Sequence, residues 1–355
     1  MSIQNAIKAV VSGQNLSIEQ STEVFSEIMS GSATDAQIAA LIVALRMKGE
    51  TADEITGAAS AMREKATHVL PKNLNYLVDT CGTGGDGANT FNISTAAAFV
   101  VAGAGATVAK HGNRNVSSKC GSADVLESLG VTISITPEVM EQCLVNVGIA
   151  FLFAPSLHKA MKYAIGPRKE IGIRTIFNIL GPLTNPALAP NQLIGVFSAD
   201  ITETLATVLK NMGTRKAYIV HGMDPLDEIS LSSPTKISEI NNGTISTYSI
   251  TPEDFGFKRA PICKIEGGTP AENAAIIRKI LQGEKSPHRD IVLLNASFAI
   301  AASGVVENPS DALPIARKSI DSGAALEKLQ KLVDFTAQQK NSCPAQDLSI
   351  PVKSV

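Results

Sequence analysis

The sequence predicts an α/β protein in which a small all-helical N-terminal domain precedes a larger domain with a central, mostly parallel sheet. Two observations predict this class. Only helical periodicity appears over residues 1–70, whereas from residue 74 onward short β-branched or aliphatic runs alternate with helical patterns. An order of strand, helix and strand is typical of a parallel sheet covered by helices. A chain of 355 residues is long enough for both domains.

The N-terminal domain is predicted from helix start and stop signals. Three polar residues stand where apolar-periodic stretches begin: Ser17, Thr34 and Thr51. Gln20 follows Ser17 at the spacing of a capping box. Gly31 and Gly49 follow two of these stretches and are placed to end helices. Because no segment here alternates with period two, we expect a small helical bundle.

The larger domain is predicted from strand-like runs that alternate with helical patterns. The strand-like runs are YLVDTCG (76–82), FVVAGAGATVAKHG (99–112), VTISI (131–135), IAFLFAP (149–155), NQLIGVFS (191–198), KAYIVHG (216–222) and DIVLLNASFAIAASG (290–304). Helical patterns between them are TPEVMEQCL (136–144), DITETLATVLKNMG (200–213) and TPAENAAIIRKILQG (269–283). We therefore assign residues 74–155 and 187–340 to this domain.

One helical segment interrupts the larger domain. Residues 156–183 have helical periodicity and end at GPLTNP. We expect this segment, taken as 156–186, to fold back onto the N-terminal helices and complete the helical domain. The last residues, 341–355, are weakly patterned and predict a loosely ordered tail.

Composition and charge argue against several classes of function. A formal net charge of −2, without runs of like charge, argues against a nucleic-acid partner. An aromatic content of 4% without tryptophan argues against a base-stacking platform. The most apolar stretch, 291–306, is interrupted by polar residues and falls short of the roughly 20 residues that a bilayer requires. With no signal-peptide pattern at the start, we expect a soluble cytoplasmic protein.

The cysteines do not predict a metal site or a disulfide framework. Five are scattered along the chain: Cys81, Cys120, Cys143, Cys263 and Cys343. Their spacing contains no CxxC or Cys/His pattern. Reduced thiols are expected, with Cys81 and Cys120 as small packing residues.

A glycine-rich stretch, GTGGDG (82–87), follows the first strand-like run and leads into NIST (92–95). Glycines allow positive φ angles, and successive backbone N–H groups in such a turn form an anion-binding nest. A helix N-terminus adds its dipole to this preference for an anion. The other interpretation is a tight strand-to-helix turn capped by Ser94 or Thr95. The stretch matches neither a Walker A loop nor a dinucleotide fingerprint.

A second polar stretch, KHGNRNVSSKCGSAD (110–124), follows the strand-like sequence ATVA. Cationic side chains beside hydroxyls and glycine-freed amides suit a phosphate group. A solvated basic loop is the alternative, but it does not explain why glycine and paired serines accompany the charges. Two such loops after consecutive strands predict a substrate with phosphates at both ends.

Two adjacent carboxylates, Asp227 and Glu228, follow the run KAYIVHG. Mg²⁺ prefers oxygen ligands, usually one or two carboxylates together with substrate phosphates. Because adjacent side chains diverge in extended backbone, the pair suits one ion each better than chelation of a single ion. The alternative is an exposed acidic turn.

These motifs together resemble the anthranilate phosphoribosyltransferase family. The similar stretches, in order, are GTGGD, NIST, KHGNRNVSSKCGSAD, GIRTIFNILGPLTNP and LDEIS, and the resemblance extends to about residue 335. The family implies transfer of the 5-phosphoribosyl group of phosphoribosyl pyrophosphate (PRPP) to the amine of anthranilate in tryptophan biosynthesis. It also implies Mg²⁺, with two ions per monomer, a fold of the nucleoside phosphorylase class, and a homodimer through the helical domain.

The resemblance also implies ligand positions. PRPP-binding positions are Gly82, Gly85, Asp86, Thr90, Asn92, Ile93, Ser94, Thr95, Lys110, His111, Gly112, Asn113, Arg114, Asn115, Val116, Ser117, Ser118 and Ser122. Anthranilate-binding positions are Gly82, Asn113 and Arg168. Metal positions are Ser94, Asp227 and Glu228. Pro225 stands where the family usually has glycine, and Lys159 where proline is common.

The implied reaction is a displacement at ribose C1 in which pyrophosphate leaves. The metal, Lys110 and the loop amides would stabilise the departing charge. Arg168 would bind the anthranilate carboxylate through a two-pronged contact, with a helix-surface arginine as the alternative. His111 is either an acceptor for the amine proton or a hydrogen-bonding neighbour. No residue is assigned a catalytic proton transfer.

Two other functions remain open from the sequence. A pyrimidine nucleoside phosphorylase would use a related glycine loop to bind inorganic phosphate beside a nucleoside. A non-enzymatic relative would use the same scaffold to bind nucleic acid.

Overall fold

The computed structural model describes residues 1–72, 74–114 and 119–340 of the chain. Its N-terminal domain consists of four helices: α1 (Ile3–Val11), α2 (Ile18–Met29), α3 (Asp35–Lys48) and α4 (Ala52–Glu64). The tail predicted over 341–355 lies outside the described residues.

Capping of these helices confirms the signals in the sequence. Ser17, Thr34 and Thr51 each accept a hydrogen bond from the backbone of the third helical residue, whose side chain bonds back to the cap. Gly49 ends α3 as its C-cap, whereas Gly31 lies one residue beyond the C-cap of α2 with a φ of +78°. The helical bundle is therefore specified locally, by caps that satisfy otherwise unpaired N–H groups.

The larger domain contains a seven-stranded sheet in the order β3-β2-β1-β4-β5-β6-β7. Its strands are β1 (Leu77–Gly82), β2 (Thr107–Gly112), β3 (Ile149–Phe153), β4 (Asn191–Gly195), β5 (Lys216–Gly222), β6 (Thr235–Asn241) and β7 (Thr244–Ile250). Strands β3 to β5 pair in parallel along this order, and β6 and β7 add an antiparallel edge. The mostly parallel sheet confirms the predicted fold class.

The remaining helices of the described residues cover the two faces of the sheet or pack against the N-terminal helices. They are α5 (Ile93–Gly103), α6 (Ser122–Ser128), α7 (Pro137–Asn146), α8 (Ala154–Leu157), α9 (Lys162–Ile171), α10 (Phe177–Leu180), α11 (Thr202–Asn211), α12 (Pro270–Leu281), α13 (Pro287–Ser303), α14 (Pro309–Asp321) and α15 (Ala324–Lys340). Helix α5 is buried between the sheet and α13, and this packing forms the main apolar core. A second core joins the N-terminal helices and α11 to the other face.

Two of the strand-like runs proved wrong as strands. Residues 290–303 lie in α13 and Gly304 is its C-cap. The continuous apolar character of this helix reflects burial on nearly all sides rather than a strand. Residues 131–135 form no strand, and the backbone N–H of Thr132 bonds to Thr336 Oγ1 of α15 at 3.1 Å. The FVV portion of 99–112 belongs to α5, and only the later part is strand β2.

The segment 156–183 is helical in several short pieces, including α9 and α10. Helix α9 packs against α2 and α3, and α10 packs against α4. The assignment of this segment to the helical domain stays a prediction. Within the part of the chain that the structure describes, no helix is both long enough and apolar enough to cross a membrane.

Candidate active site

The candidate site lies where loops leave the carboxyl ends of β1, β2 and β5. Strand β1 lies between β2 and β4. The chain adds β2 and β3 on one side of β1 and then returns to add β4 and β5 on the other side. Such a switch point leaves a crevice in which ligands of open α/β sheets bind. We call residues 82–95 the first loop, residues 110–122 the second loop, and residues 222–231 the acidic turn.

Hydrogen bonds from backbone N–H groups to carboxylate side chains join the first loop to the acidic turn. The N–H of Gly84 donates to Asp227 Oδ2 at 2.8 Å, and the N–H of Asp227 donates to Asp86 Oδ2 at 3.3 Å. Gly84 and Gly85 have φ angles of +64° and +77°, in the left-handed region that glycine adopts readily. The glycines therefore permit a turn whose N–H groups face carboxylate oxygens.

The start of α5 receives a carboxylate from the acidic turn. The backbone N–H of Ser94 donates to Glu228 Oε1 at 3.0 Å, and Asn92 at the N-cap makes no capping hydrogen bond with its side chain. Helix N-termini favour negative charge because their first N–H groups lack partners within the helix. The alternative interpretation was a turn in which Ser94 or Thr95 caps the helix. The N-terminus of α5 is bonded instead by the Glu228 carboxylate, which comes from the acidic turn.

Lys110 lies beneath the first loop. It is only 3% exposed, and its ammonium donates to Thr80 O at 2.6 Å and to Ser94 Oγ at 3.2 Å. Burial lowers the pKa of Lys110, while the nearby carboxylates of Asp79 and Glu228 oppose that shift. The Lys110 Nζ is thus held in the floor of the site, next to the hydroxyl predicted to be a metal ligand.

The second loop is tightly packed where it leaves β2. A Cβ at Gly112 would lie 2.4 Å from Ser122 Oγ, and that hydroxyl donates to Asn113 O at 3.2 Å. Arg114 is engaged by α6, through ion pairs to Asp124 at 3.0 Å and Glu127 at 2.6 Å. The predicted PRPP positions Asn115, Val116, Ser117 and Ser118 lie outside the described residues.

His111 is a neutral group in this site. Burial, with the nearby His158, lowers its pKa to about 3. The two imidazole rings lie 5.1 Å apart, and Nε2 of each is buried without a hydrogen-bond partner among the described residues. Near neutral pH, His111 therefore offers a hydrogen-bonding nitrogen rather than a cation for phosphate.

The acidic turn brings carboxyl groups together in a partly buried place. Burial and the neighbouring Asp86 carboxylate raise the pKa of Asp227 to about 7. Burial and the Asp227 charge raise the pKa of Glu228 well above its ordinary value. A Cβ at Gly195 would lie 1.5 Å from Asp227 O, so only glycine at the end of β4 leaves room for this turn.

Arg168 is separate from these bonded segments. Its guanidinium lies 5.2 Å from the Phe177 ring centroid, and burial lowers its pKa. No hydrogen bond or ion pair joins its side chain to another described residue. By contrast Arg174, which the sequence did not single out, donates to Gly85 O and lies 4.5 Å from the Phe197 ring centroid. Arg174 thus stabilises the first loop through a hydrogen bond to the backbone carbonyl of Gly85.

A buried asparagine also supports both loops and was missed in the sequence. Asn273, near the start of α12, donates to Asn92 Oδ1 at 3.0 Å and accepts from the N–H of Gly268 at 2.7 Å. Asn92 in turn donates to Cys120 O at 3.1 Å, which joins the first loop to the second. No local signal could reveal this bridge, because its members come together only in the fold.

Comparisons with known proteins agree with this architecture. Residues 4–66 match the helical bundle domain of a glycosyl transferase family, and residues 74–326 match its a/b domain. The chain is 58% identical over 334 residues to the anthranilate phosphoribosyltransferase of Pelotomaculum thermopropionicum, covering 94% of this chain and 96% of that protein.

Solved structures are similar over nearly the whole chain. A crystal structure of anthranilate phosphoribosyltransferase from Thermus thermophilus superimposes with a TM-score of 0.89 at 40% identity, covering 94% of this chain and 99% of the other. The Saccharomyces cerevisiae enzyme in complex with PRPP and Mg gives a TM-score of 0.86 at 28% identity, covering 95% and 98%. The same yeast enzyme in complex with 4-fluoroanthranilate gives 0.84 at 27%, with the same coverage.

Proposed function

The chain belongs to the glycosyl transferase family that contains the anthranilate phosphoribosyltransferases, and from this premise we propose that it transfers the 5-phosphoribosyl group of PRPP to anthranilate. The carrying observation is that two carboxylates of the acidic turn meet the first loop, Asp227 at Gly84 and Glu228 at Ser94. This contact brings oxygen ligands for a cation to the N–H groups of an anion-binding turn.

The donor set fits Mg²⁺ bound together with a phosphorylated substrate. Among the described residues, no group of three or more His, Cys, Asp or Glu side chains is arranged to hold an ion. Mg²⁺ commonly takes only one or two carboxylates and completes its shell with phosphate oxygens and water. Burial, followed by the charge of neighbouring carboxylates, raises the pKa values of Asp227 and Glu228. A bound divalent cation would offset both effects by favouring the ionised carboxylates. We propose one ion at each carboxylate, with Ser94 beside them.

In the proposed reaction the anthranilate nitrogen forms a bond to ribose C1 while the bond from C1 to the pyrophosphate oxygen breaks. The electron pair of the broken bond leaves with pyrophosphate, and the amine proton passes to the departing pyrophosphate or to water. Bound Mg²⁺ would supply charge stabilisation on the pyrophosphate oxygens. The N–H groups of the first loop would hold the same oxygens, and removal of one such donor typically costs about 3–4 kcal/mol.

The residues of this chain would position anthranilate rather than activate its amine. The aromatic amine is neutral, so it must chiefly be held in line with C1, and orientation contributes about 7–11 kcal/mol in favourable cases. The Arg168 guanidinium lies over the Phe177 ring and has no hydrogen bond or ion pair with another described residue, so it suits the anthranilate carboxylate. Gly82 and Asn113 would be further contacts. The remaining PRPP positions would line the first and second loops around Lys110.

The two other functions are not favoured. The chain is similar to an anthranilate phosphoribosyltransferase over 94% of its own length, at 58% identity. This similarity favours phosphoribosyl transfer over a nucleoside phosphorylase or a nucleic-acid-binding relative. We further propose a homodimer through the helical domain. Val11 and Met47, on helices of that domain, expose 71% and 84% of their surface.

The function is tested by following anthranilate fluorescence after addition of PRPP, Mg²⁺ and the purified chain. We expect the fluorescence to fall only when all three are present, with one pyrophosphate released for each anthranilate consumed. Phosphate with thymidine serves as the matched substrate pair for the phosphorylase alternative. Consumption of thymidine without consumption of anthranilate would overturn the proposal.

A further inference from the structure

Asn295 is a buried polar residue in the middle of the apolar helix α13. Its side chain is 0% exposed. Its Oδ1 accepts from the backbone N–H of Ile229 at 2.9 Å, and its Nδ2 donates to Ile229 O at 2.9 Å and to Ile291 O at 3.0 Å. The amide therefore pairs with both backbone polar groups of one residue in the acidic turn and with one carbonyl of its own helix.

We infer that Asn295 is a positioning residue for the divalent-cation site, because it fixes the backbone that carries Asp227 and Glu228. This inference rests on the proposed function, which assigns the cation to those carboxylates. Asn295 itself touches neither substrate nor ion in this role.

The geometry leads from Asn295 to the carboxylates in two steps. The N–H and C=O of Ile229 belong to the two peptide planes on either side of that residue, so both planes are held. The first plane includes the carbonyl of Glu228, whose carboxylate reaches the N–H of Ser94 at 3.0 Å. The preceding residue, Asp227, reaches the N–H of Gly84 at 2.8 Å. Movement of the backbone at Ile229 would thus displace both carboxylates from the first loop.

A packing role alone does not account for an amide at this position. A leucine of similar size would fill an apolar helix without removing a polar group from water. The asparagine is suited to this place because the turn beside it has a buried N–H and a buried C=O that need partners. Leaving such groups unpaired typically costs about 1–3 kcal/mol each.

The test compares Asn295→Leu with the control variant Ser297→Ala in the full-length protein. Ser297 is also buried in α13, but its hydroxyl donates only to Leu294 O of the same helix, at 2.7 Å. Two quantities are measured: hydrogen exchange of the Ile229 amide without ligand, and calorimetric binding of PRPP at a series of Mg²⁺ concentrations.

For Asn295→Leu we expect exchange at Ile229 to be faster by about tenfold or more, and the Mg²⁺ concentration needed for half-maximal PRPP binding to rise by about tenfold. Ser297→Ala should change neither quantity by more than about twofold. A variant that loses thermal stability but binds Mg²⁺ and PRPP as the wild type does would overturn the inference, because Asn295 would then be structural only.

A second variant covers the case in which Asn295→Leu does not fold. Asn295→Asp keeps the size and the acceptor for the Ile229 N–H, but when ionised it loses the donor to Ile229 O. We expect an intermediate shift in the Mg²⁺ dependence. In the wild type the Ile229 amide should exchange slowly, and exchange as fast as that of an exposed loop amide would contradict the inference directly. Absence of any PRPP binding by the wild type would instead overturn the proposed function, whatever the exchange rate at Ile229.

Discussion

The carboxylate of Glu228 lies at the N-terminus of α5, where it accepts a hydrogen bond from the backbone N–H of Ser94 at 3.0 Å. Glu228 lies in the turn that follows β5, and Ser94 lies in the helix that follows β1. Their contact places a candidate cation ligand beside a helix terminus that favours anions. We therefore expect the cation and the substrate phosphates to share this place, each compensating charge on the other.

Removal of both carboxylates should abolish Mg²⁺-dependent turnover. In the double variant Asp227→Asn with Glu228→Gln, we expect kcat/KM to fall by at least about a hundredfold, because charge on the departing pyrophosphate loses its cation. The measurement is the initial rate of anthranilate consumption over a range of Mg²⁺ concentrations. The control is Glu253→Gln with Asp254→Asn, the same two substitutions at an exposed acidic pair outside the acidic turn. Near-normal activity of the first double variant would remove the metal role from the acidic turn.

Stability of the ligand-free protein should depend on pH through Asp227. The pKa of its carboxyl is raised from the ordinary 3.8 to about 7, so the folded state holds this proton more tightly than the unfolded chain does. The resulting stability is fully present below about pH 4 and is lost as pH rises through about 7.

The pH effect is isolated by comparison with Asp227→Asn, which cannot ionise. Between about pH 5 and about pH 8 the free energy of unfolding of the wild type should fall relative to that of the variant by about 2–3 kcal/mol. Urea unfolding at both pH values measures it. A difference between the two proteins that stays constant with pH would show that Asp227 titrates normally.

Substitution of Arg168 should affect anthranilate more than PRPP. Loss of a hydrogen-bonded charge pair costs about 1.5–3 kcal/mol, so Arg168→Ala should raise the KM for anthranilate by about 10- to 150-fold. Arg168→Lys should recover little, since an ammonium cannot reproduce the planar two-pronged contact. The exposed neighbour Lys169 provides the control Lys169→Ala. Equal effects of Arg168→Ala on both substrates would show that this arginine does not bind the anthranilate carboxylate.

Alanine at Gly85 should weaken PRPP binding through the backbone. Gly85 has a φ of +77°, and a methyl group would lie 3.3 Å from Arg174 Nη2. A residue with a Cβ pays about 1–2 kcal/mol in this conformation, so the unliganded loop should relax and binding should weaken by about 5- to 30-fold. Gly213→Ala carries similar strain at a φ of +81°, away from the site and with no atom within 4 Å of the added carbon. Calorimetry should show weaker PRPP binding for Gly85→Ala alone; unchanged affinity would indicate an ordinary turn.

Local signals predicted the parts of the fold that are determined locally. The caps at Ser17, Thr34 and Thr51 could be identified because a cap and its partner lie within one turn of helix. The hairpin of β6 and β7 was missed, although Asn242 and Gly243, with φ angles of +47° and +82°, form the two-residue turn that favours hairpins. Helix α13 was misassigned because a helix buried on all sides loses the one-sided periodicity that distinguishes it from a strand.

The sequence predicted which residue types form the candidate site, but not which residues they contact. The glycines and carboxylates pointed to phosphate and metal chemistry, and the fold brings Gly84 to Asp227 and Ser94 to Glu228. Arg114, however, is paired with Glu127, which the loop sequence alone does not reveal. The role of Asn295 could not be predicted from the sequence either, because its hydrogen bonds to Ile229 depend on how α13 packs beside the acidic turn.

We propose that the first and second loops, with a divalent ion at the acidic turn, bind PRPP while its pyrophosphate leaves. A crystal structure of the protein soaked with PRPP and Mg²⁺ tests this proposal. We predict pyrophosphate oxygens within hydrogen-bond distance of the N–H groups of residues 82–95, with Mg²⁺ coordinated by Asp227 or Glu228. PRPP bound away from both loops, or Mg²⁺ without contact to either carboxylate, would contradict the proposal.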